Sequence, residues 1–357
     1  MGWIEMARKA RYPKFPRNSL VRRTLTNKTT KNMNFLTDPF LIPADLIVGP
    51  VLVTGAGGCI GAWVCAILSR SGIAVIATDL SPSPKRAALV MGQSEAEGLD
   101  WVALDVTDGA AVAQLVSDRN VQSIIHLAGL QVPFCAANPA MGARVNVEGT
   151  INILEAARAA GIKRTVFASS VAALGFPVGG PNKETLYGAY KVANENTAYV
   201  YWKDWQVPSV CLRPNVVYGV ARDQGMTSKS TVAIQAAAFG LPYDVPFTGP
   251  YSWLYAGEAA AAFIASISQD GNGAYCFDLN GRCEQVEVGL AMLKNIDSSA
   301  EVTASGAPIP FNPDLDEAPL RAHVPDYPTI SVEDGIKSTY AAFKELHNEG
   351  RLTALPG

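Results

Sequence analysis

The amino-acid sequence predicts an α/β fold in which a doubly wound parallel sheet is followed by a smaller C-terminal part. From residue 51 onwards, short and almost continuously apolar segments alternate with longer segments of helical character. This alternation is typical of a parallel sheet that is covered by helices on both faces. Beyond residue 213 the pattern becomes irregular, because the chain is interrupted by Pro214, Pro242, Pro246 and Pro250.

The N-terminal segment differs in composition from the rest of the chain. Residues 1–33 contain nine Lys or Arg residues and one acidic residue, Glu5. We interpret residues 1–48 as a basic tail outside the fold. Three origins stay open: a disordered tail, an organelle transit segment, or translated sequence ahead of a start at Met33. The segment lacks the apolar core of a secretory signal, and its two prolines disfavour the amphipathic helix of a transit segment.

Residues 49–213 are predicted to form the main domain, which binds a cofactor and carries the reacting groups. Its predicted strands are residues 51–53, 74–78, 101–104, 123–127, 165–168 and 209–212. Its predicted helices are residues 61–71, 110–118, 143–160 and 187–204. Because crossovers between parallel strands are right-handed, we expect a Rossmann-type sheet with a ligand crevice at the carboxyl ends of the strands.

Residues 214–357 are predicted to be mainly a substrate-binding part that returns some elements to the core. The predicted elements are a helix near residues 257–268, a strand at 274–279, a helix near 286–296 and a last helix that begins after Ser331. Ser331 and Asp334 have a spacing similar to that of a capping box. We expect this part to fold over the strand ends, where it would select the substrate.

The overall composition disfavours several classes of protein. The net charge of −3 gives no sign of nucleic-acid binding. The most apolar late segment, residues 259–267, is too short to span a membrane. The six cysteines form no C-x-x-C pair and the three histidines are far apart in sequence, so we expect no metal site. Reduced cysteines of this kind predict a cytoplasmic protein.

A glycine-rich segment follows the first predicted strand and opens the first predicted helix. It reads TGAGGCIG over residues 54–61, with glycines at Gly55, Gly58 and Gly61. One glycine permits a tight turn, another lets the backbone approach a pyrophosphate, and the third lets the helix pack against the strand. The helix N-terminus adds N–H donors and a positive dipole end for the phosphates. The segment therefore predicts a dinucleotide site.

An acidic residue at the end of the second predicted strand indicates which dinucleotide is bound. Asp79 lies 24 residues after Gly55, where a carboxylate accepts hydrogen bonds from the adenosine ribose. This carboxylate would repel a 2′-phosphate, so we predict NAD rather than NADP as the cofactor. Lys85 and Arg86 are close in sequence and would offset part of that repulsion.

Three residues are candidates for the reacting groups. Tyr187 and Lys191 are four residues apart, which places the phenol and the ammonium on one helix face. A free tyrosine has a pKa of about 10, and we expect Lys191 and a positively charged nicotinamide to lower it. Tyr190 is the rival phenol, but it points elsewhere on the helix. The third is a serine at the end of a predicted strand, Ser169 or Ser170, whose hydroxyl is expected to hydrogen-bond the substrate oxygen.

Taken together, these segments resemble the extended short-chain dehydrogenase/reductases of the NAD-dependent epimerase/dehydratase family. The resemblance covers residue 51 to the C-terminus. It rests on TGAGGCIG at 54–61, ATDL at 77–80, LDVTD at 104–108, HLAG at 126–129, VNVEGTINILEAA at 145–157, FASS at 167–170, YGAYK at 187–191 and LRPNVVYG at 212–219.

The resemblance implies a set of site residues and a homodimer. The catalytic residues would be Ser170, Tyr187 and Lys191. The cofactor contacts would be Gly55, Gly58, Cys59, Ile60, Gly61, Asp79, Asp105, Val106, Leu127, Ala128, Gly129, Asn146, Tyr187, Lys191, Pro214 and Asn215. The two copies would associate through the helices predicted at 143–160 and 187–204.

The sequence also departs from the family pattern. Val171 and Ala172 stand where the family's dehydratases carry an Asp–Glu pair, which disfavours dehydration. Only 17 residues separate Ser170 from Tyr187, fewer than is typical for nucleotide-sugar epimerases. Val216 stands where those epimerases carry an asparagine. The motifs therefore do not support a nucleotide-sugar substrate.

The resulting hypothesis is an NAD-dependent oxidoreductase that transfers a hydride between NAD and a secondary alcohol of a small polyhydroxylated substrate, such as a sugar or sugar acid. Two alternatives stay open: a sugar or nucleotide-sugar epimerase with tightly bound NAD, and a non-catalytic NAD-binding sensor. We interpret His126 and Arg213 as structural. Substrate contacts are expected at Gln131, Gln224, Lys229, Tyr251, Trp253 and Arg282.

Overall fold

A parallel sheet of seven strands forms the centre of the computed structural model, which describes residues 33–175, 183–324 and 326–356. In chain order, the strands of the described residues are β1 (Val51–Thr54), β2 (Val75–Asp79), β3 (Asp100–Ala103), β4 (Ser123–His126), β5 (Thr165–Ala168), β6 (Ser209–Pro214), β7 (Val217–Tyr218), β8 (Tyr243–Val245), β9 (Pro250–Tyr255), β10 (Ala274–Leu279), β11 (Arg282–Gln285) and β12 (Val302–Ala304). The order across the central sheet is β10–β6–β5–β4–β1–β2–β3. Because the winding reverses between β1 and β4, the carboxyl ends of the strands border a crevice. The predicted doubly wound sheet is confirmed.

Helices pack on both faces of this sheet. The helices of the described residues are α1 (Asn34–Thr37), α2 (Cys59–Arg70), α3 (Lys85–Met91), α4 (Gln93–Glu97), α5 (Gly109–Asp118), α6 (Val132–Ala137), α7 (Pro139–Ala143), α8 (Gly149–Ala160), α9 (Leu186–Trp205), α10 (Lys229–Phe239), α11 (Ala256–Ala265), α12 (Val286–Ile296), α13 (Ala318–His323) and α14 (Val332–Asn348). Val51 and Val53 of β1 join the apolar cluster that contains α2, whereas Leu52 between them joins the cluster that contains α5 and α8. Both faces of β1 are therefore buried, which explains why its sequence is continuously apolar.

Most predicted elements are found where the sequence places them. The six predicted strands of the main domain overlap β1 to β6, and the segments 274–279 and 286–296 coincide with β10 and α12. The helix predicted for 143–160 is interrupted, because residues 144–148 form a π-helical turn between α7 and α8. Helix α10 is absent from the sequence-based prediction, since the prolines of that region suggest loops.

The segment that precedes β1 belongs to the core from residue 33 onwards. Met33, Leu36 and Phe40 are buried. The Phe40 ring stacks on Tyr255 with ring centres 5.9 Å apart. The fold therefore begins earlier than the predicted tail boundary at residue 48. These apolar side chains pack into the core, although the basic residues that precede them suggest a tail. Residues 1–32 lie outside the described residues.

The C-terminal part contributes to the central sheet and forms two smaller sheets. β10 pairs with β6 in parallel, with Ala274 opposite Ser209 and Leu279 opposite Pro214. The smaller sheets have the orders β11–β9–β7 and β12–β8. Helix α14 begins at its N-cap, Ser331, whose side chain accepts the N–H of Asp334, and it packs against α10. None of the helices in the described ranges is long and apolar enough to cross a membrane.

Candidate active site

A cavity of about 730 Å³ opens at the carboxyl ends of the parallel strands. Its wall includes the residues that end β1, β2, β5 and β6, which are Thr54, Asp79, Ala168 and Pro214. Tyr187, in the first turn of α9, lies on the same wall. Doubly wound sheets bind their ligands at this position.

The loop between β1 and α2 brings the glycine backbone to the cavity. Gly55 has a φ of +69°, and a Cβ at this residue would lie 2.7 Å from the nitrogen of Ala128. Gly58 is the N-cap of α2, and no side chain of the described residues caps this helix. The first N–H groups of α2 therefore remain to bind an anionic ligand.

Asp79 and Arg86 are both engaged in contacts with the protein. Asp79 accepts the N–H groups of Gly57 at 3.1 Å and of Leu80 at 2.9 Å. The Arg86 guanidinium pairs with Asp223 at 2.9 Å and donates to the carbonyl of Gly57, also at 2.9 Å. Because Asp223 neutralises Arg86, this arginine does not offset the repulsion between Asp79 and a 2′-phosphate. The geometry thus favours NAD over NADP.

The three predicted reacting groups meet on the cavity wall. Ser170 and Tyr187 both line the cavity, and the Ser170 Oγ accepts the N–H of Ala172 at 3.2 Å. Lys191 lies one turn after Tyr187 on α9. Its Nζ donates to the carbonyl of Ala168 at 2.8 Å and lies 5.4 Å from the centre of the Tyr187 ring. A phenol, a hydroxyl and an ammonium are therefore held in one place.

The electrostatics of these groups differ from the sequence-based expectation. Burial raises the pKa of Tyr187, and the Ser170 side chain and the charge of Arg222 offset part of this effect. Burial lowers the pKa of Lys191 to about 8, because the ammonium is removed from water. The structure does not show the expected lowering of the Tyr187 pKa by Lys191, since this ammonium faces the ring and bonds a carbonyl instead.

An ion-pair network holds the strand ends behind these groups. Glu195, one turn after Lys191 on α9, accepts the Ser169 hydroxyl at 2.5 Å and the Arg213 guanidinium at 2.8 and 2.7 Å. Arg213 also bonds Asp278 of β10 at 3.3 Å. The network joins α9 to the ends of β5, β6 and β10, so the interpretation of Arg213 as structural is confirmed.

All but one of the residues predicted to contact the cofactor line the cavity. Those on the wall are Gly55, Gly58, Cys59, Ile60, Gly61, Asp79, Asp105, Val106, Leu127, Ala128, Gly129, Tyr187, Lys191, Pro214 and Asn215. The residue outside this set is Asn146, which lies in the π-helical turn.

Asn146 is fully buried behind the wall. Its amide donates to the carbonyls of Leu130 at 3.1 Å and of Gly142 at 3.0 Å. A Cβ on Gly129, which does line the cavity, would lie 2.8 Å from the Asn146 Oδ1. The prediction of a direct cofactor contact is therefore corrected: Asn146 supports the loop after β4 from inside, because the π turn directs its side chain into the core.

His126 of β4 is buried between two hydroxyl groups. Its Nδ1 lies 2.7 Å from Thr54 Oγ1, and its Nε2 lies 3.2 Å from Thr150 Oγ1. Burial, with a smaller contribution from the charge of Lys191, lowers the pKa of His126 to about 3. The ring is therefore neutral at pH 7, and the interpretation of His126 as a core histidine is confirmed.

Six residues are expected from the sequence to contact the substrate. Of these, only Gln131 is part of the cavity wall that the described residues form. Tyr251 and Trp253 of β9 are buried in the core, where Trp253 packs against Gly289 of α12. Their side chains fill the space between C-terminal elements, so they cannot reach a ligand. The expectation is also corrected for the remaining three, Gln224, Lys229 and Arg282, which lie off the wall.

The segment after β7 supplies wall residues that sequence analysis does not identify. Arg222, Asp223, Met226 and Thr227 line the cavity, together with Phe311 from the segment after β12. No motif marks these positions, because the tertiary fold brings them to the strand ends. The one sequence signal is the adjacent pair of opposite charges at 222 and 223, soon after an apolar strand.

Comparison with known proteins identifies the family. A profile of the NAD-dependent epimerase/dehydratase family matches residues 51–276. The chain belongs to this family. The predicted resemblance is thereby confirmed, and with it an NAD-dependent enzyme of the extended short-chain dehydrogenase/reductase type.

Curated relatives of this family member include UDP-glucose 4-epimerases. The UDP-glucose 4-epimerase of Klebsiella pneumoniae is 33% identical over 127 residues, which is 35% of this chain and 91% of that protein. Several other curated UDP-glucose 4-epimerases match over less than two thirds of their own length.

Solved structures establish the fold independently of these sequence matches. The UDP-glucose 4-epimerase of Thermotoga maritima with UDP-glucose has a TM-score of 0.69 at 23% identity, covering 83% of this chain and 98% of that one. The L-threonine dehydrogenase of Clostridium difficile has a TM-score of 0.71 at 19% identity, covering 84% and 98%.

Proposed function

We propose that this family member oxidises a secondary alcohol of a small polyhydroxylated substrate, of the sugar or sugar-acid type, with NAD. The observation that carries the proposal is the presence of Ser170, Tyr187 and Lys191 on the wall of the cavity that also contains the glycine loop. A phenol in this position can exchange a proton with a substrate hydroxyl. The alternative of a non-catalytic NAD-binding sensor is not favoured, because Ser170, Tyr187 and Lys191 are all present in one cavity.

The cavity offers residues for each part of the cofactor. The uncapped N-terminus of α2 would bind the pyrophosphate. Gly55, which has no side chain and lies close to Ala128, would present only backbone atoms to this pyrophosphate. Asp79 would bind the adenosine ribose, and Lys191 the nicotinamide ribose. When bound, NAD supplies the hydride acceptor for the reaction.

Tyr187 and Ser170 would handle the proton. Tyr187, as the phenolate, accepts the proton of the substrate hydroxyl at its Oη, and in the reductive direction the neutral phenol returns it. Ser170 Oγ hydrogen-bonds the same substrate oxygen and so orients it. Proton transfer by a positioned side chain contributes about 10²–10⁴-fold to the rate of such reactions.

Epimerisation is the second candidate function, and the UDP-glucose 4-epimerases among the relatives favour it. An epimerase would use the same acid–base pair twice and leave no net change in NAD. Dehydration is disfavoured, because Val171 and Ala172, in the first turn after Ser170, carry no titratable group.

A substrate panel tests the proposed function. The purified full chain is incubated with NAD and with sugars, sugar acids and nucleotide sugars, and both the absorbance of NADH and the formation of isomers are measured. The proposal expects NADH to accumulate with a sugar or sugar acid. Formation of an isomer without any accumulation of NADH would instead establish the epimerase.

The assembly proposed for the chain is a homodimer through the surface of α9. Tyr199, Val200 and Trp205 of this helix are exposed large apolar side chains, and such residues favour burial in an interface. Sedimentation analysis of the full chain should give the mass of two copies, and Val200→Glu should shift it to the mass of one.

The cytoplasm is the proposed location. All six cysteines are free thiols, including Cys211 and Cys276, which face each other on neighbouring strands. Two thiols that face each other in this way remain reduced, without forming a disulfide, in a reducing compartment such as the cytoplasm. Fractionation of cells that produce the chain tests this location.

A further inference from the structure

Arg222 is a cation of the cavity wall whose charge no carboxylate of the described residues neutralises. Arg222 takes part in none of the ion pairs of the described residues near the site: Arg86 pairs with Asp223, and Arg213 pairs with Glu195 and Asp278. The Nε of Arg222 is buried and has no hydrogen-bond partner in the described structure. A buried charged donor without a partner is costly unless a ligand satisfies it.

The surroundings of Arg222 form a small polar recess. Its Nη2 donates to the Thr227 hydroxyl at 3.2 Å. Gly225 has a φ of +96°, and a Cβ at this residue would lie 2.9 Å from the Gln131 Oε1 and 3.2 Å from the Arg222 Nη2. Glycine at 225 therefore leaves open a space between Gln131 and Arg222. All four residues line the cavity.

The recess lies on the wall of the same cavity as the reacting phenol of Tyr187. Ala221, directly before Arg222, has a φ of +72°, a conformation that only the surrounding structure can hold for a residue with a Cβ. The charge of Arg222 acts on the hydroxyls of both Tyr187 and Tyr251, lowering the pKa of each against the larger effect of burial. The guanidinium and the phenol that would take the substrate proton therefore line the same cavity.

We infer that Arg222, with Thr227 and Gln131, binds an anionic group of the substrate, a carboxylate or a phosphate, in the cavity that also contains Tyr187. A guanidinium provides a planar pair of donors that matches either anion. The inference rests on the proposed function and narrows it, because it selects acidic substrates over neutral sugars. The pyrophosphate of the cofactor already has donors at the start of α2.

The first test needs no knowledge of the substrate. The full chain is saturated with NAD, and its thermal unfolding is followed with added oxalate or inorganic phosphate at constant ionic strength. Both anions should raise the Tm of the NAD-loaded wild type and leave that of Arg222→Gln unchanged. Arg144→Gln removes an exposed arginine that pairs with Glu148 and is not part of the cavity wall, and it serves as the matched control; it should respond like the wild type.

Two outcomes of this test overturn the inference. If Arg222→Gln responds to the anions like the wild type, the recess does not bind them. If the anions raise the Tm only without NAD, or if Arg222→Gln weakens NAD binding in the absence of substrate, the anion at Arg222 is the cofactor pyrophosphate.

The second test separates this inference from the proposed function. Turnover is compared for matched pairs, such as glucuronate with glucose and galacturonate with galactose. The acids should be preferred, and Arg222→Gln should lower kcat/KM for an acid by about 30-fold or more, as the loss of one partner from a desolvated charge pair does. Arg222→Lys should recover part of this loss. Equal turnover of acids and neutral sugars that still depends on Tyr187 would overturn the inference and leave the proposed function standing.

Discussion

The Arg86 guanidinium and the Asp223 carboxylate form an ion pair of 2.9 Å that connects α3 to the segment after β7. Both residues line the cavity. Arg86 also donates to the carbonyl of Gly57 in the glycine loop. One side chain therefore ties together three segments of the wall at which the cofactor is proposed to bind.

Breaking this ion pair should weaken the retention of NAD. Asp223→Asn leaves Arg86 with its bond to Gly57 only, so we expect faster dissociation of NAD, measured by stopped-flow fluorescence. The pair is partly exposed, and such pairs contribute about 0.2–1 kcal/mol, so the change should stay below about sixfold. Asp100→Asn, which breaks the exposed pair with Arg119 away from the cavity, is the control. Equal dissociation rates in both variants would contradict the prediction.

Replacement of the proposed base should remove catalysis without removing the cofactor. Tyr187→Phe deletes the hydroxyl that is proposed to exchange a proton with the substrate, and we expect kcat to fall by about 10²–10⁴-fold. The affinity for NAD, measured by calorimetry, should be retained. Tyr190→Phe is the matched control, because the Tyr190 hydroxyl donates to the carbonyl of Pro139 instead. Comparable losses in the two variants would show that Tyr187 has no special role.

Lys191 should make the stability of the NAD-free chain rise with pH. Its folded pKa of about 8 lies below the ordinary value of 10.5, so the unfolded chain binds more protons between these two pH values. The free energy of unfolding therefore gains a contribution as the pH rises from about 8 to 10.5, up to the order of 3 kcal/mol at 1.36 kcal/mol per pKa unit.

The contribution of Lys191 is measured as a difference between variants. Thiols that ionise in the unfolded chain act in the opposite direction, but they do so equally in the wild type and in Lys191→Met. Denaturant unfolding at several pH values should therefore show a rise in the wild type relative to Lys191→Met. Lys203→Met, at an exposed lysine, should follow the wild type. Parallel pH profiles for wild type and Lys191→Met would rule out the effect.

The glycine loop should tolerate no Cβ at its first glycine. Gly55 and Gly161 have nearly the same φ, +69° and +66°, but a Cβ at Gly161 would meet nothing within 4 Å. Gly161→Ala should therefore cost only the left-handed strain, about 1–2 kcal/mol. Gly55→Ala adds the contact with Ala128 and should cost more in the free energy of unfolding, as well as weaken NAD binding. Equal costs for the two substitutions would mean that the close approach is not restrictive.

Local patterns in the sequence are sufficient for the sheet and for one side of the site. Buried parallel strands are continuously apolar, and the carboxyl ends of such strands share one edge, so Thr54, Asp79 and Ala168 can be placed on the same wall from the sequence. The helical spacing of Tyr187 and Lys191 likewise fixes their common face. These features follow from periodicities of the backbone.

Other features depend on contacts between distant segments. Arg222 and Phe311 reach the wall from irregular segments that carry no periodic signal. Asn146 turns into the core because of a π turn that its helical sequence does not announce. Tyr251 and Trp253 are polar-edged aromatic residues that the fold buries instead of presenting to a ligand.

The sequence by itself determined the sheet, the glycine loop and the order of the reacting groups, because each of these depends on residues that are near one another in the chain. Only the tertiary structure decided which charges remain unpaired and how far burial shifts the pKa of Tyr187 and Lys191. Solvation and ion pairing depend on every segment that packs around a group, and such segments can be far apart along the chain: Asn215 and Asn312, which are hydrogen-bonded, are 97 residues apart.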